Sequence, residues 1–320
     1  MSSELPAYVE RGGEQIFPPP WTITNGDFYG FLVTTDPATV QQRICDPLFN
    51  TPMNEPGRFE PAGDFVMIVY NNLPELMSTA PGWASKGIMA EHEMAFWSLV
   101  HDTTANRMFW VQSYMIVNRG RAVSTGREVF GFPKEYGWIS LPDSAEDPSS
   151  FATETIVVPK FVTDEVERRA QVVSVTKTAP GNPARELGTS LWGALKTLYD
   201  VAHQTHGILG DLKLLWNTLD DQLHMRVPMV FLKQFRDVAD PSRACFQSIT
   251  EAPTVMTELN HGRLYFDKFE IDIADFDSHP ICQDFGFSSP LSPTLSFWVN
   301  INFTVQSGVE IWRAGAAPDK

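Results

Sequence analysis

A lysine attacks a carbonyl carbon only as the neutral amine, and one lysine of this 320-residue chain sits in a sequence that could favour that form. It is Lys134, in the stretch STGREVFGFPKEYGW from Ser124 to Trp138. Read as extended chain, Glu128, Phe130, Phe132 and Lys134 point to one side, and Arg127, Val129, Gly131, Pro133 and Glu135 to the other. Two phenylalanines then share the lysine's face. The reference pKa of lysine is about 10.4, so half-neutralisation near neutral pH needs a shift of roughly three units, or about 4 kcal/mol, which burial in an apolar pocket can supply. A strongly depressed pKa is the expectation. Glu135 would oppose it from beside the amine, but the alternation sends that carboxylate to the opposite face.

The string Gly126, Arg127, Glu128, followed by Pro133 and Lys134, resembles the signature of the acetoacetate decarboxylase superfamily. NGDFYGFLVTTDPATVQQRICDPLF resembles that superfamily's first strand and following helix, and FLKQFRDVADPSRACFQSI a later strand pair. GRLYFDKFEIDIADFDSHPICQDF resembles the closing barrel strand and its Pro-containing turn. The resemblance implies a mainly β fold, a cone-shaped antiparallel barrel wrapped by a larger antiparallel sheet, in a homo-oligomer. It also implies a covalent Schiff base between Lys134 and a small-molecule carbonyl substrate, with no metal and no other cofactor.

Carried over residue by residue, Lys134 matches the Schiff-base lysine, and Glu91, in MAEHEMAFWSLV, matches the active-site glutamate. Glu93 is the rival assignment, two residues on and on the same strand face. Phe130 and Phe132 are the candidate substrate-binding residues. Acetoacetate decarboxylase activates its lysine through a neighbouring cation, whereas here the next residue is Glu135. The superfamily's carboxylate-binding arginine aligns with Gly26, and the amide that pyruvate-using members carry four residues before the lysine is Phe130. Acetoacetate and pyruvate thus lose ground to a larger, less polar carbonyl compound. The simplest reading is a β-keto acid decarboxylase. The same iminium and enamine chemistry would serve an aldolase, dehydratase or cyclase, and a non-enzymatic barrel binding a small apolar ligand is the third reading.

Strands must dominate the elements that position these residues, because 24 prolines and frequent glycines punctuate short apolar runs. In SFWVNINFTV, Phe297, Val299, Ile301, Phe303 and Val305 share one face, opposite Ser296, Asn300, Asn302 and Thr304, and Phe269, Ile271 and Ile273 alternate likewise in FDKFEIDIADF. MFWVQSYMIV and DFVMIVY are continuously apolar and read as strands buried on both faces. TTDPATVQQRICDPL predicts a helix, with Asp36 as N-cap, Pro37 at its first position, and Ala38, Ile44 and Leu48 on its buried side. A helical pair is expected within a single domain spanning 1–320, as an insertion at about 189–224. Leu141 to Ser150 reads as a polar loop.

A formal net charge of -15 disfavours nucleic acid and anionic membrane surfaces as partners. With three scattered cysteines and no apolar leader or membrane-length apolar run, a cytoplasmic protein is expected. His203 and His206, near Asp200, could present ligands from one helix face, and His92 and His101 flank an apolar run; neither pair has the spacing of a known metal motif.

Overall fold

The computed structural model describes residues 6–10, 16–187 and 226–315. The predicted insertion at about 189–224, with His203 and His206, lies outside the described residues. The strands are β1 (Trp21–Thr34), β2 (Phe59–Ser78), β3 (Met89–Asp102), β4 (Arg107–Val117), β5 (Lys134–Ser140), β6 (Ser150–Val157) and β7 (Arg168–Ala179). They continue with β8 (Arg185–Glu186), β9 (Arg226–Arg236), β10 (Ala244–Tyr265), β11 (Lys268–Ile273), β12 (Leu295–Val305) and β13 (Val309–Arg313).

β4, β3, β2, β1, β12, β10 and β9 follow one another round a ring, which closes where Trp110 of β4 meets Met229 of β9. That closure is a single residue pair. Outward from β4, the strands β5, β6, β7 and β11 form a wing. The predicted sheet was wholly antiparallel, but β4 takes both β5 and β9 as parallel neighbours, so the sheet is mixed.

Strands β1 to β4 are apolar on both faces, each face for its own reason. Tyr29, Phe31, Ile68 and Phe96 pack outward against Phe151, Val173 and Phe269 of the wing, and this is the main core. Trp21, Ile23, Val69, Ala95 and Met115 belong instead to a second apolar cluster, continuous with Phe132 and Phe303. The double burial accounts for the unbroken apolar runs of β2 and β4. β12 shows the predicted alternation, with the face of Phe297, Val299, Ile301, Phe303 and Val305 turned into the ring.

Asp36 caps α1 (Pro37–Val40), its carboxylate accepting from the amides of Ala38 at 3.1 Å and Thr39 at 3.2 Å. The chain then widens into i→i+5 turns over Gln41–Asn50 before α2 (Thr51–Met53). The wider winding changes the buried stripe to Val40, Ile44, Cys45 and Phe49, while Leu48 is half-buried and Ala38 is exposed, against expectation. Two further helices are α3 (Gly120–Val129) and α4 (Ile281–Phe285). No helix among the described residues is long and apolar enough to cross a membrane.

Candidate active site

The stretch leading to Lys134 is not extended, as the alternation argument had it. Residues Gly120–Val129 are helical, a tight turn follows, and Lys134 is the first residue of β5. The helix ends where the carbonyl of Gly126 accepts from the amides of both Phe130 and Phe132, each at 3.1 Å. Gly131 then turns the chain at φ +80, and a Cβ there would come within 2.6 Å of the Lys233 backbone. The carbonyl of Phe130 accepts from Thr250 Oγ1 at 2.6 Å, which ties the turn to β10. Gly126 has a separate task, because a Cβ on it would lie 2.9 Å from Lys134 Cδ. The glycine lets α3 press against the lysine's stem.

Gly131→Ala should therefore misplace Lys134. A left-handed backbone costs a residue with a Cβ about 1–2 kcal/mol, and the contact with Lys233 adds to that. The expected result is a lower melting temperature and a larger proportional loss of activity than of stability. A variant with wild-type melting and turnover would show that the turn tolerates the side chain.

Lys134 is 6% exposed and its Nζ donates to Glu91 Oε1 at 2.9 Å and pairs with Glu93 Oε2 at 3.1 Å. Glu91 and Glu93 alternate to the same face of β3, so both rival glutamates reach the lysine. Asn71 of β2 stands opposite Glu93 in the ladder and donates to its Oε1 at 3.1 Å. Burial acts to lower the pKa of Lys134, but the charges of Glu91 and Glu93 and the hydrogen bonds to them outweigh it, and the ammonium is held above its ordinary range. The expected depression of its pKa is thus overturned. The aromatic neighbours were weighed there, and the carboxylates on the next strand but one were not.

Burial raises the pKa of Glu91, Lys134 opposes that shift and the charge of Glu93 adds to it, leaving the carboxyl raised. Two acids and one amine, all ionised, would leave one negative charge in excess in a buried site. A proton on Glu91 removes the excess. Its Oε2 has no hydrogen-bond partner among the described residues, and the residue lines a cavity.

The cavity has a volume of about 260 Å³ and fills the inside of the ring. Lys134, Glu91, Leu76 and Trp21 mark a closed end, where every one of these side chains is buried. Phe28, Met67, Trp110, Phe297 and Val299 are half-buried at the other end, which is the mouth. A β-bulge leaves Ser113 of β4 unpaired opposite β3, so that Trp110, Gln112 and then Met115 face inward. Bulges of this kind re-aim side chains beside sites.

Phe132 lines the cavity, with its ring centroid 5.7 Å from Lys134 Nζ. Phe130 does not line it. That ring stacks behind Phe132 and meets Trp21 edge-on, so it supports the wall rather than forming it. Glu135 points away, as expected, and its carboxylate receives His279 Nε2 at 2.9 Å. At Gly26 a Cβ would already come within 3.2 Å of the Leu73 and Phe28 side chains. His92 sits on the other face of β3 from the two glutamates, and His101 meets Glu60 and Asn106 at the surface.

Asn71, Gln112, Thr254, Trp97 and Arg226 also line the cavity and were missed. The signal available for two of them was a lone amide inside an apolar strand, Gln112 in MFWVQSYMIV and Asn71 after DFVMIVY, because a strand buried on both faces leaves an amide no solvent.

No family model matches the chain, and no curated protein matches it. Solved structures do. The acetoacetate decarboxylase of Legionella pneumophila superposes with a TM-score of 0.61 at 13% identity, over 98% of this chain and 94% of that one. The enduracididine biosynthesis enzyme MppR, complexed with pyruvate, gives 0.58 at 14% identity, over 94% and 93%. An acetoacetate decarboxylase-like enzyme from Sphingomonas wittichii RW1 gives 0.58 at 10% identity, over 96% and 98%. The fold is the acetoacetate decarboxylase-like fold.

Proposed function

We propose that this chain of acetoacetate decarboxylase-like fold is an enzyme in which Lys134 forms a Schiff base with a carbonyl compound that has a large apolar portion. One observation carries the reading: a primary amine lies at the closed end of an apolar cavity, within 2.9 and 3.1 Å of two carboxylates. A carboxylate accepts the ammonium proton and frees the amine to attack the carbonyl carbon. The carbinolamine then loses its hydroxyl as water, with the proton supplied from Glu91. The resulting iminium cation takes the place of the ammonium beside Glu93, so the buried charge balance is unchanged. A carboxylate next removes a proton from the α-carbon to give the enamine, the intermediate of condensation, dehydration or ring closure.

A β-keto acid decarboxylase is the second reading. Its substrate would carry a carboxylate to the closed end, where two acids already lie and Lys134 is the one cation among the described lining residues there. The enamine reading avoids that repulsion and comes first.

Borohydride reduction of the protein with a homologous series of methyl ketones, followed by peptide mass analysis, tests the proposal. A reduced adduct on Lys134 is expected, and trapping should improve as the chain lengthens, by up to about 0.8 kcal/mol per buried methylene. Absence of any adduct at Lys134 across the series would leave the barrel a binding protein. Exchange of the ketone's α-hydrogens in deuterated water, without release of CO2 from the matching keto acids, separates the first reading from the second.

A further inference from the structure

The cavity is apolar through its length but different in kind at its two ends. Carboxylates dominate the closed end. Toward the mouth the charged lining group is a cation. Arg226, the exposed first residue of β9, lines the cavity there, and no carboxylate pairs with its guanidinium among the described residues. Thr254 lies across the ladder from Val227, one step from Arg226, and is 7% exposed with its Oγ1 unpartnered. Trp97 lies further in, opposite Gln112 in the ladder and against Trp110, and its Nε1 is buried with no acceptor among the described residues. A buried N–H or O–H without a partner costs about 1–3 kcal/mol, so these groups await an acceptor.

The register places Arg226 and its neighbour Thr254 far from Lys134. Lys134 pairs with Met115, β4 runs back five residues to Trp110 and its partner Met229, and Arg226 lies three residues further out. At about 3.3 Å per residue, less the tilt of the strands in a ring, the separation is on the order of 15–25 Å. A chain advancing about 1.2 Å per atom crosses it in roughly 12–20 atoms.

We propose that the substrate is a long amphiphile that enters carbonyl first, its anionic head, a carboxylate or phosphate, held at the mouth by Arg226 with Thr254. This rests on the Schiff-base reading of Lys134. The charge pattern fixes the direction of entry, since the head is repelled by Glu91 and Glu93 and attracted by Arg226. Arg226 is a binding residue and takes no part in the bond changes at Lys134.

Borohydride trapping at Lys134 is measured with three methyl ketones of equal length, about twelve chain atoms, ending in a methyl group, a carboxylate or a phosphate. The expected result is half-maximal trapping at about tenfold lower concentration for at least one anionic ketone, the scale of one hydrogen bond to a charged group. The stronger of the two anions identifies the head. Arg226→Gln should remove that advantage, so that the anionic ketones trap no better than the neutral one, and Thr254→Val should reduce it. Equal trapping of all three ketones, or a preference that survives Arg226→Gln, overturns the proposal while the adduct itself upholds the Schiff base. No adduct with any ketone overturns both.

Discussion

Replacing Lys134 by alanine should abolish turnover and every borohydride adduct, and should also make the protein's stability fall as pH rises. The first effect follows because no other amine among the described residues lies in the cavity lining. The second follows from the partners left behind. Glu91 and Glu93 are 2% and 4% exposed, and breaking a buried ion pair from one side costs about 3–5 kcal/mol. Glu91 already has a raised pKa and would lose the cation that opposes the shift. A group whose folded pKa lies above its unfolded value, about 4.3 for glutamate, contributes stability below that value and loses it as pH rises through the folded pKa. The variant should approach wild-type stability near pH 4 and fall progressively behind at higher pH. Lys134→Arg keeps a cation without an amine nucleophile, so it should be inactive and largely free of that penalty. Turnover in either variant would end the Schiff-base proposal. A stability difference between Lys134→Ala and wild type that is flat with pH would show that the glutamates do not depend on the lysine.

Glu91→Gln should lower kcat by on the order of 10²-fold, the usual contribution of a positioned acid or base. The two glutamates act differently on the lysine's surroundings. Each raises the pKa of Lys134, so replacing either lowers it and moves imine formation to lower pH. Glu93→Gln should show that shift with a smaller loss of kcat, because Glu91 retains its proton for the departing hydroxyl. The pH dependence of single-turnover trapping, measured beside kcat, separates the two roles. An unchanged kcat in Glu91→Gln together with a large loss in Glu93→Gln would reverse the assignment.

Lys134, Glu91 and Glu93 could be singled out in the sequence through the resemblance carried by Gly126-Arg127-Glu128 and Pro133-Lys134, with Glu91 and Glu93 two apart on one strand face. Their mutual contact could not. Forty-three residues separate Lys134 from Glu91 along the chain, and they meet only because β4 lies between β3 and β5. α3 escaped notice because GRAVSTGREV carries two glycines, a serine, a threonine and two valines, all weak helix formers. Packing against the neighbouring strands decides its form instead. β12 was read correctly because its outer face is asparagine-rich and its inner face apolar, whereas β4, apolar on both faces and shifted by the bulge at Ser113, gave no sign of which side faced the cavity. Arg226 could not be recognised, since nothing in its local sequence links it to a lysine more than ninety residues earlier.

β12 also governs when the site comes into being. It seals the ring between β1 and β10, with Val305 opposite both Trp21 and Thr254, so the wall around Lys134 is incomplete until that strand has left the ribosome. From Lys134 to Val305 is about 170 residues, roughly 10–35 s of synthesis at 5–20 residues per second. Throughout that interval Lys134 lacks the side of its pocket that β12 supplies. On the Schiff-base reading, the pocket for the carbonyl substrate is therefore completed only near the end of synthesis.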